Sequence, residues 1–219
     1  MGKPSVSVGV ATRQIAVPPL GLPGIVDLPA GARGLVVFVH GSGSSRLSPR
    51  NRAVAAALNA RGFATLLFDL LTEAEEPDRA NVFDIALLAE RLAQAIAWVD
   101  GEAALRRLPL GLFGASTGAA AALVAAARLK GRVGAIVSRG GRPDLADAAL
   151  DRTTTPTLLI VGGNDFGVIE LNEAALARFA GPKEFAIVPG ATHLFPEPGA
   201  LEAVAERAAR WFERYLAVA

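Results

Sequence analysis

Leu108-Pro109-Leu110-Gly111-Leu112-Phe113-Gly114-Ala115-Ser116-Thr117-Gly118-Ala119-Ala120-Ala121 is the stretch that decides the fold. A short apolar run, which reads as a buried strand, stops at Gly114, and an Ala-rich segment of helical composition begins almost at once. Between the two lies Gly-x-Ser-x-Gly, written as Gly114-Ala115-Ser116-Thr117-Gly118. A strand that becomes a helix within one residue forces that residue into a sparsely populated backbone conformation and wants only small side chains beside it. The gain is a serine hydroxyl held clear of the fold at the carboxyl edge of a sheet, above its own helix N-terminus. That geometry suits a nucleophile, although the same pentapeptide also occurs in purely structural glycine turns.

Working outward, the pattern on both sides is one of alternating strands and helices. Residues 5–17 alternate loosely, as in an edge strand; Pro18-Pro19-Leu20-Gly21 turns the chain, and residues 24–28 read as a second strand. Residues 34–39 form a continuous β-branched run, the mark of a strand buried on both faces. A helix is expected over 49–61, a strand over 63–68 and one long helix over 82–99. Residues 108–113 are the strand already met, and 116–130 its helix. Strands follow at 133–137, 157–161 and 184–188, with a short helix over 143–150, a helix over 170–179 and a closing amphipathic helix over 201–216. A leading hairpin followed by βα units predicts a single α/β domain over residues 1–219. It consists of an open, mostly parallel eight-stranded sheet with helices on both faces and no insertion long enough for a cap domain. Ligands of such sheets bind outside the carboxyl ends of the strands.

Composition narrows the function classes. The 219 residues are 52% hydrophobic and carry a net charge of +1, which offers no electrostatic case for nucleic acid or an anionic membrane. There is no cysteine, hence no disulfide framework, thiolate metal site or Cys nucleophile. The first residues have no apolar core of a signal peptide and no apolar run is long enough to span a bilayer, so the expectation is a cytoplasmic protein, monomer or homodimer. Arginine greatly outnumbers lysine and alanine abounds, which fits a bacterial origin.

A serine needs an adjacent base, itself oriented by a third group. Only His40 and His193 are available. Both follow strands, and the order Ser…Asp…His expected of a Gly-x-Ser-x-Gly turn selects His193. Asp165, after the apolar run Leu158-Leu159-Ile160-Val161 and a glycine turn, is the matching acid. Asp144 competes for the role but follows Arg142-Pro143, where it reads as a helix cap. The turn His40-Gly41-Ser42-Gly43-Ser44-Ser45 supplies the last component. Acyl transfer builds charge on the carbonyl oxygen, and each preorganised N–H there contributes roughly 3–4 kcal/mol. The amides of Thr117 and Ser42 are the expected oxyanion donors, with Gly43 next, while His40 reads as a structural brace of this turn. A glycine turn before a helix could instead cradle a phosphate, but the P-loop spacing and lysine are missing, as is the dinucleotide Gly-x-Gly-x-x-Gly.

These four pieces, His40-Gly-Ser-Gly-Ser44, Gly114-Ala-Ser-Thr-Gly118, Gly163-Asn-Asp165 and Gly190-Ala-Thr-His193, resemble the α/β-hydrolase superfamily and, within it, the small capless dienelactone-hydrolase-like group. The resemblance covers nearly the whole chain. It implies hydrolysis of small-molecule esters or lactones through an acyl-enzyme, with no cofactor and no metal. Dienelactone hydrolases proper have cysteine at the nucleophile position, where this chain has Ser116, which favours carboxylic esters over dienelactone. Related sequences occur fused to phosphoribosyltransferase domains, and no such extension is expected here. Acyl transfer or peptide hydrolysis on the same residues, and a non-catalytic binding protein of the same fold, are the competing readings.

The substrate pocket is less legible. Asp69 to Glu76 should rim the site or form a solvated loop. Arg139 and Arg46 each read as a receiver of a substrate carboxylate or as the partner of a rim acid. Phe166 beside the acid, and Leu194 and Phe195 beside the base, are expected apolar walls. Trp98, Trp211 and Tyr215 lie at core spacing on helices.

Overall fold

The β-branched run Leu35–Val39 becomes strand β3, and its side chains divide strictly between the two faces of the sheet. Leu35, Val37 and Val39 enter one core cluster, Val36 and Phe38 the other, as the two-residue period of a strand requires. A strand apolar on both sides is stable only with helices covering both. The sequence supplies them from the βα units on either side.

The computed structural model describes residues 9–216, so the start of the expected first strand, residues 5–8, lies outside the described residues. The strands are β1 (Val10–Val17), β2 (Leu22–Pro29), β3, β4 (Ala64–Phe68), β5 (Leu110–Ala115), β6 (Val133–Arg139), β7 (Thr157–Gly162) and β8 (Lys183–Val188). They form one eight-stranded sheet in the order β1-β2-β4-β3-β5-β6-β7-β8. The β1–β2 hairpin is antiparallel and joins antiparallel to β4; all other pairings are parallel.

Helices α1 (Pro49–Ala60) and α6 (Ala200–Tyr215) cover one face, with Val54, Leu58, Val204, Ala208, Trp211 and Phe212 buried against it. Helices α3 (Ile85–Gly101), α4 (Thr117–Arg128) and α5 (Phe166–Arg178) cover the other, together with a 3-10 segment, Pro143–Arg152. Close packing of α6 depends on a missing side chain: a Cβ on Gly111 would stand 2.6 Å from Phe212 Cε1.

Two expected boundaries move. The single helix over 82–99 is two helices, α2 (Arg79–Phe83) and α3, broken at Asp84. Asp84 leaves helical geometry (φ −75°, ψ 87°) and its carboxylate accepts from the Leu87 N–H at 2.9 Å, an N-cap that apolar spacing alone does not reveal. Helix α5 starts at Phe166, directly behind Asp165, not at 170. No helix among the described residues is long and apolar enough to cross a membrane.

Candidate active site

The turn between β5 and α4 carries the backbone strain its sequence announces. Ser116 sits at φ 50°, ψ −123°, a region that residues with a side chain rarely occupy. It is the N-cap residue of α4, yet its side chain makes no capping bond, so the hydroxyl is not committed to the helix. The flanking glycines are required by contact. A Cβ on Gly114 would lie 2.5 Å from Ala119 Cα, and one on Gly118 would lie 2.1 Å from the Val39 carbonyl oxygen. The second clash is with the end of β3, not with the turn itself, so Gly118 also sets how closely the β3–α1 loop approaches the serine. That loop reaches it at Gly41, where a Cβ would be 2.8 Å from Ser116 Cβ.

Asp165 occupies the N-cap position of α5 but makes no capping bond. Its Oδ2 accepts instead from His193 Nδ1–H at 2.7 Å. A carboxylate can only accept, so the proton is on Nδ1 and the Nε2 lone pair is the basic one. The two loops that present this pair are tied together. Asn164 N–H donates to the Ala191 carbonyl at 2.9 Å, and its side-chain amide donates to the Gly190 carbonyl at 3.0 Å. Beyond the histidine, Thr192 donates through its N–H and its hydroxyl to Glu197 Oε1, bonds that hold the Glu197 carboxyl below its usual range, the hydroxyl's being the larger cause.

Ser116 and His193 both touch the segment Arg139–Gly140. The Ser116 N–H donates to the Arg139 carbonyl at 3.4 Å, while a Cβ on Gly140 would be 3.0 Å from the His193 carbonyl oxygen and 3.5 Å from its Nδ1. The Ser116 hydroxyl makes no hydrogen bond to His193 here. Such contacts commonly close only when substrate is bound.

Thr117 and Ser42 both line a cavity that opens beside the serine, and Gly43 lines it too. The N–H groups of Thr117 and Ser42 have no hydrogen-bond partner among the described residues. His40 braces this turn as expected: Nδ1–H donates to the Gly41 carbonyl at 3.0 Å, and Nε2 accepts the Leu70 N–H at 3.1 Å. Burial is the main cause that holds its pKa below the ordinary 6.5. The far wall is Pro23, Leu70, Leu71, Val82 and Leu88, with Asp69, Glu73 and Glu76 at the acidic rim. Leu70 and Leu71 fall in the segment Asp69 to Glu76 expected at the rim, whereas Pro23, Val82 and Leu88 were not read from sequence. The signal for the two leucines is position alone, directly beyond the end of β4.

Several side chains stand elsewhere than expected. Phe166 and Leu194 are 70% and 47% exposed and neither lines the cavity, because the chain directions at α5 and the β8 loop turn them to solvent. Phe195 is buried in the core against α6. Arg46 takes one of its two expected readings: it pairs with the rim acid Asp69, whose other oxygen takes the Arg46 N–H at 2.7 Å, and so ties the β3–α1 loop to β4. Asp144 does not cap a helix; it forms a two-point pair with Arg142, at 2.9 and 2.7 Å. Arg139 is 6% exposed, does not line the cavity, and has no acid partner among the described residues.

Comparison with known proteins gives a consistent set of likenesses. Residues 34–155 match the family model for the alpha/beta hydrolase fold. The crystal structure of dienelactone hydrolase from Anabaena variabilis is 52% identical, with a TM-score of 0.90, over 95% of this chain and 99% of that one. Est1E from Butyrivibrio proteoclasticus, 17% identical with a TM-score of 0.77 over 93% and 98%, shares the fold. A protein of Mycobacterium tuberculosis named "Putative phosphoribosyl transferase" is 56% identical over 203 residues, 93% of this chain. The chain spans 46% of that relative's length.

Proposed function

The chain belongs to the α/β-hydrolase fold family, in its dienelactone-hydrolase-like group, and from that premise we propose that it is a serine hydrolase of small carboxylic esters or lactones. Ser116 is the nucleophile, His193 the general base, Asp165 its orienting acid, and the Thr117 and Ser42 amides the oxyanion donors. The observation that carries the reading is the use made of Asp165. Placed where an aspartate ordinarily caps a helix, it makes no side-chain capping bond and accepts from the His193 imidazole instead.

The chemistry follows from the groups. His193 Nε2 takes the Ser116 proton as Oγ attacks the carbonyl, and the charge gathering on the carbonyl oxygen is met by N–H groups that no other acceptor occupies. Asp165 keeps the useful tautomer and stabilises the imidazolium. The imidazolium then protonates the leaving alcohol. In the second half it activates the water that attacks the acyl-enzyme. The name of the longer M. tuberculosis relative concerns a protein of which this chain spans 46%, so the ester-hydrolase reading is argued for this chain alone.

The test is labelling by a fluorophosphonate, followed by hydrolysis of p-nitrophenyl acetate, for the wild type and Ser116→Ala. The expected result is labelling and turnover in the wild type and neither in the variant. A wild type that does not label, or a variant that still does, would overturn the assignment.

A further inference from the structure

Of the arginines near the carboxyl edge of the sheet, two with buried, unpaired donors have no acid partner among the described residues. Arg46 has Asp69, Arg91 has Glu75 and Arg142 has Asp144. Arg139 and Arg50 have no carboxylate within ion-pairing distance among the described residues. Arg139 ends β6 and shares the face of Ala135 and Val137, the one covered by α1 and α6. Its Nε and Nη1 are buried with no hydrogen-bond partner, and so is Nε of Arg50 in the first turn of α1. That turn contains no acidic residue, so the positive end of the helix adds to the same field.

A buried guanidinium with open donors is costly, and a second cation beside it adds to the cost. Burial first, and the charge of Arg50 second, bring the Arg139 pKa down to about 10, so Arg139 is still cationic at neutral pH. Arg139 is also next to the chemistry: its carbonyl holds the Ser116 N–H, and the following residue packs on His193. Arg139 shares the sheet face covered by α1, Arg50 belongs to α1, and neither lines the apolar cavity of Leu70 and Leu88.

We propose that Arg139 and Arg50 form a subsite for a dianionic oxyanion of the phosphate-monoester class, on the α1 face of the sheet and outside the apolar cavity. Two forked cations match a dianion in charge and in geometry; a single carboxylate would leave one of them uncompensated. Under the serine-hydrolase reading, on which the substrate assignment rests, the ester carries an apolar arm into the cavity and a phosphate-bearing arm toward the arginines.

The experiment has two arms. Calorimetric titration with inorganic phosphate, at ionic strength held constant with chloride, should show binding to the wild type. Affinity should fall roughly tenfold or more in Arg139→Gln and in Arg50→Gln. Arg50 lies on a helix surface, so its variant serves even where Arg139→Gln fails to fold, with circular dichroism as the check. In the second arm, kcat/KM for 2-acetoxyethyl phosphate should exceed that for ethyl acetate by roughly tenfold or more in the wild type, and this ratio should collapse in Arg50→Gln. Phosphate binding without that preference supports the subsite and assigns it to free phosphate. Absence of phosphate binding, or binding unchanged in both variants, overturns it. Phosphate binding alongside no Ser116-dependent hydrolysis of either ester leaves the subsite standing and removes the hydrolase reading instead.

Discussion

Ser116, Asp165 and His193 stand out in the sequence because each follows an apolar strand and each has a chemical type the others need, and the structure pairs Asp165 with His193. What a residue's neighbours in sequence do not tell is direction. Phe166 and Leu194 adjoin the acid and the base, yet both point to solvent, since the first residue of a helix and the residue after a turn are aimed by the backbone. Arg139 was open to two readings, and the one requiring a rim acid has no acid to support it among the described residues. The glycines separate more cleanly. Gly118 is held against the carbonyl oxygens of Val39, the last residue of β3, and of His40 just after it, 2.1 Å and 2.5 Å from where a Cβ would stand, and that backbone cannot retreat without disturbing the sheet. Gly118→Ala should therefore cost about 3 kcal/mol or more, read by urea denaturation. Gly43, at φ 65° with nothing within 4 Å, loses only its conformational freedom, so Gly43→Ala should cost about 1 kcal/mol. Equal costs for the two would mean that the close approach of the β3–α1 loop to α4 is not what makes Gly118 necessary.

Elements were read well where apolar periodicity dominates and poorly where a single polar side chain sets a boundary. Asp84 splits the expected long helix, and the break matters to the site because it turns Val82 of α2 into the cavity wall. Asn172 of α5 is fully buried and donates to the Gly141 carbonyl at 3.0 Å, fixing the helix behind Asp165 to the segment beneath His193; nothing in its spacing announces this. The β3–α1 loop is held to the end of β4 twice, by Arg46 on Asp69 and by His40 on Leu70. The second tie depends on a neutral imidazole, because a protonated Nε2 cannot accept the Leu70 N–H. Burial above all lowers the folded-state pKa of His40 below 6.5, whereas the unfolded chain protonates it near that value. The unfolded state thus binds more protons in the window below 6.5, and stability must rise with pH across it. Chemical denaturation between about pH 5 and pH 7 should show the wild type losing stability as pH falls, with a shallower slope in His40→Asn. Identical slopes in the two proteins would assign the acid sensitivity to other groups.

At the scale of the molecule, a hairpin followed by repeated βα units was enough to read an eight-stranded, mostly parallel sheet covered on both faces. The exchange of β3 and β4 in the strand order was not read, since it depends on which way each crossover swings and not on any residue's type. The open carboxyl edge has a consequence for the proposed substrates. The space beside Ser116 is bounded by Leu70, Leu71, Val82 and Leu88 and then ends at the acidic rim of Asp69, Glu73 and Glu76. Each methylene that enters that space contributes about 0.8 kcal/mol, and each one beyond it stays in water beside carboxylates and contributes nothing. Across a series of p-nitrophenyl esters, kcat/KM should climb over the first few carbons, level off and then decline, so that acetate and butyrate exceed palmitate. A profile that keeps rising to the longest chains would mean that the bounded cavity does not receive the acyl group.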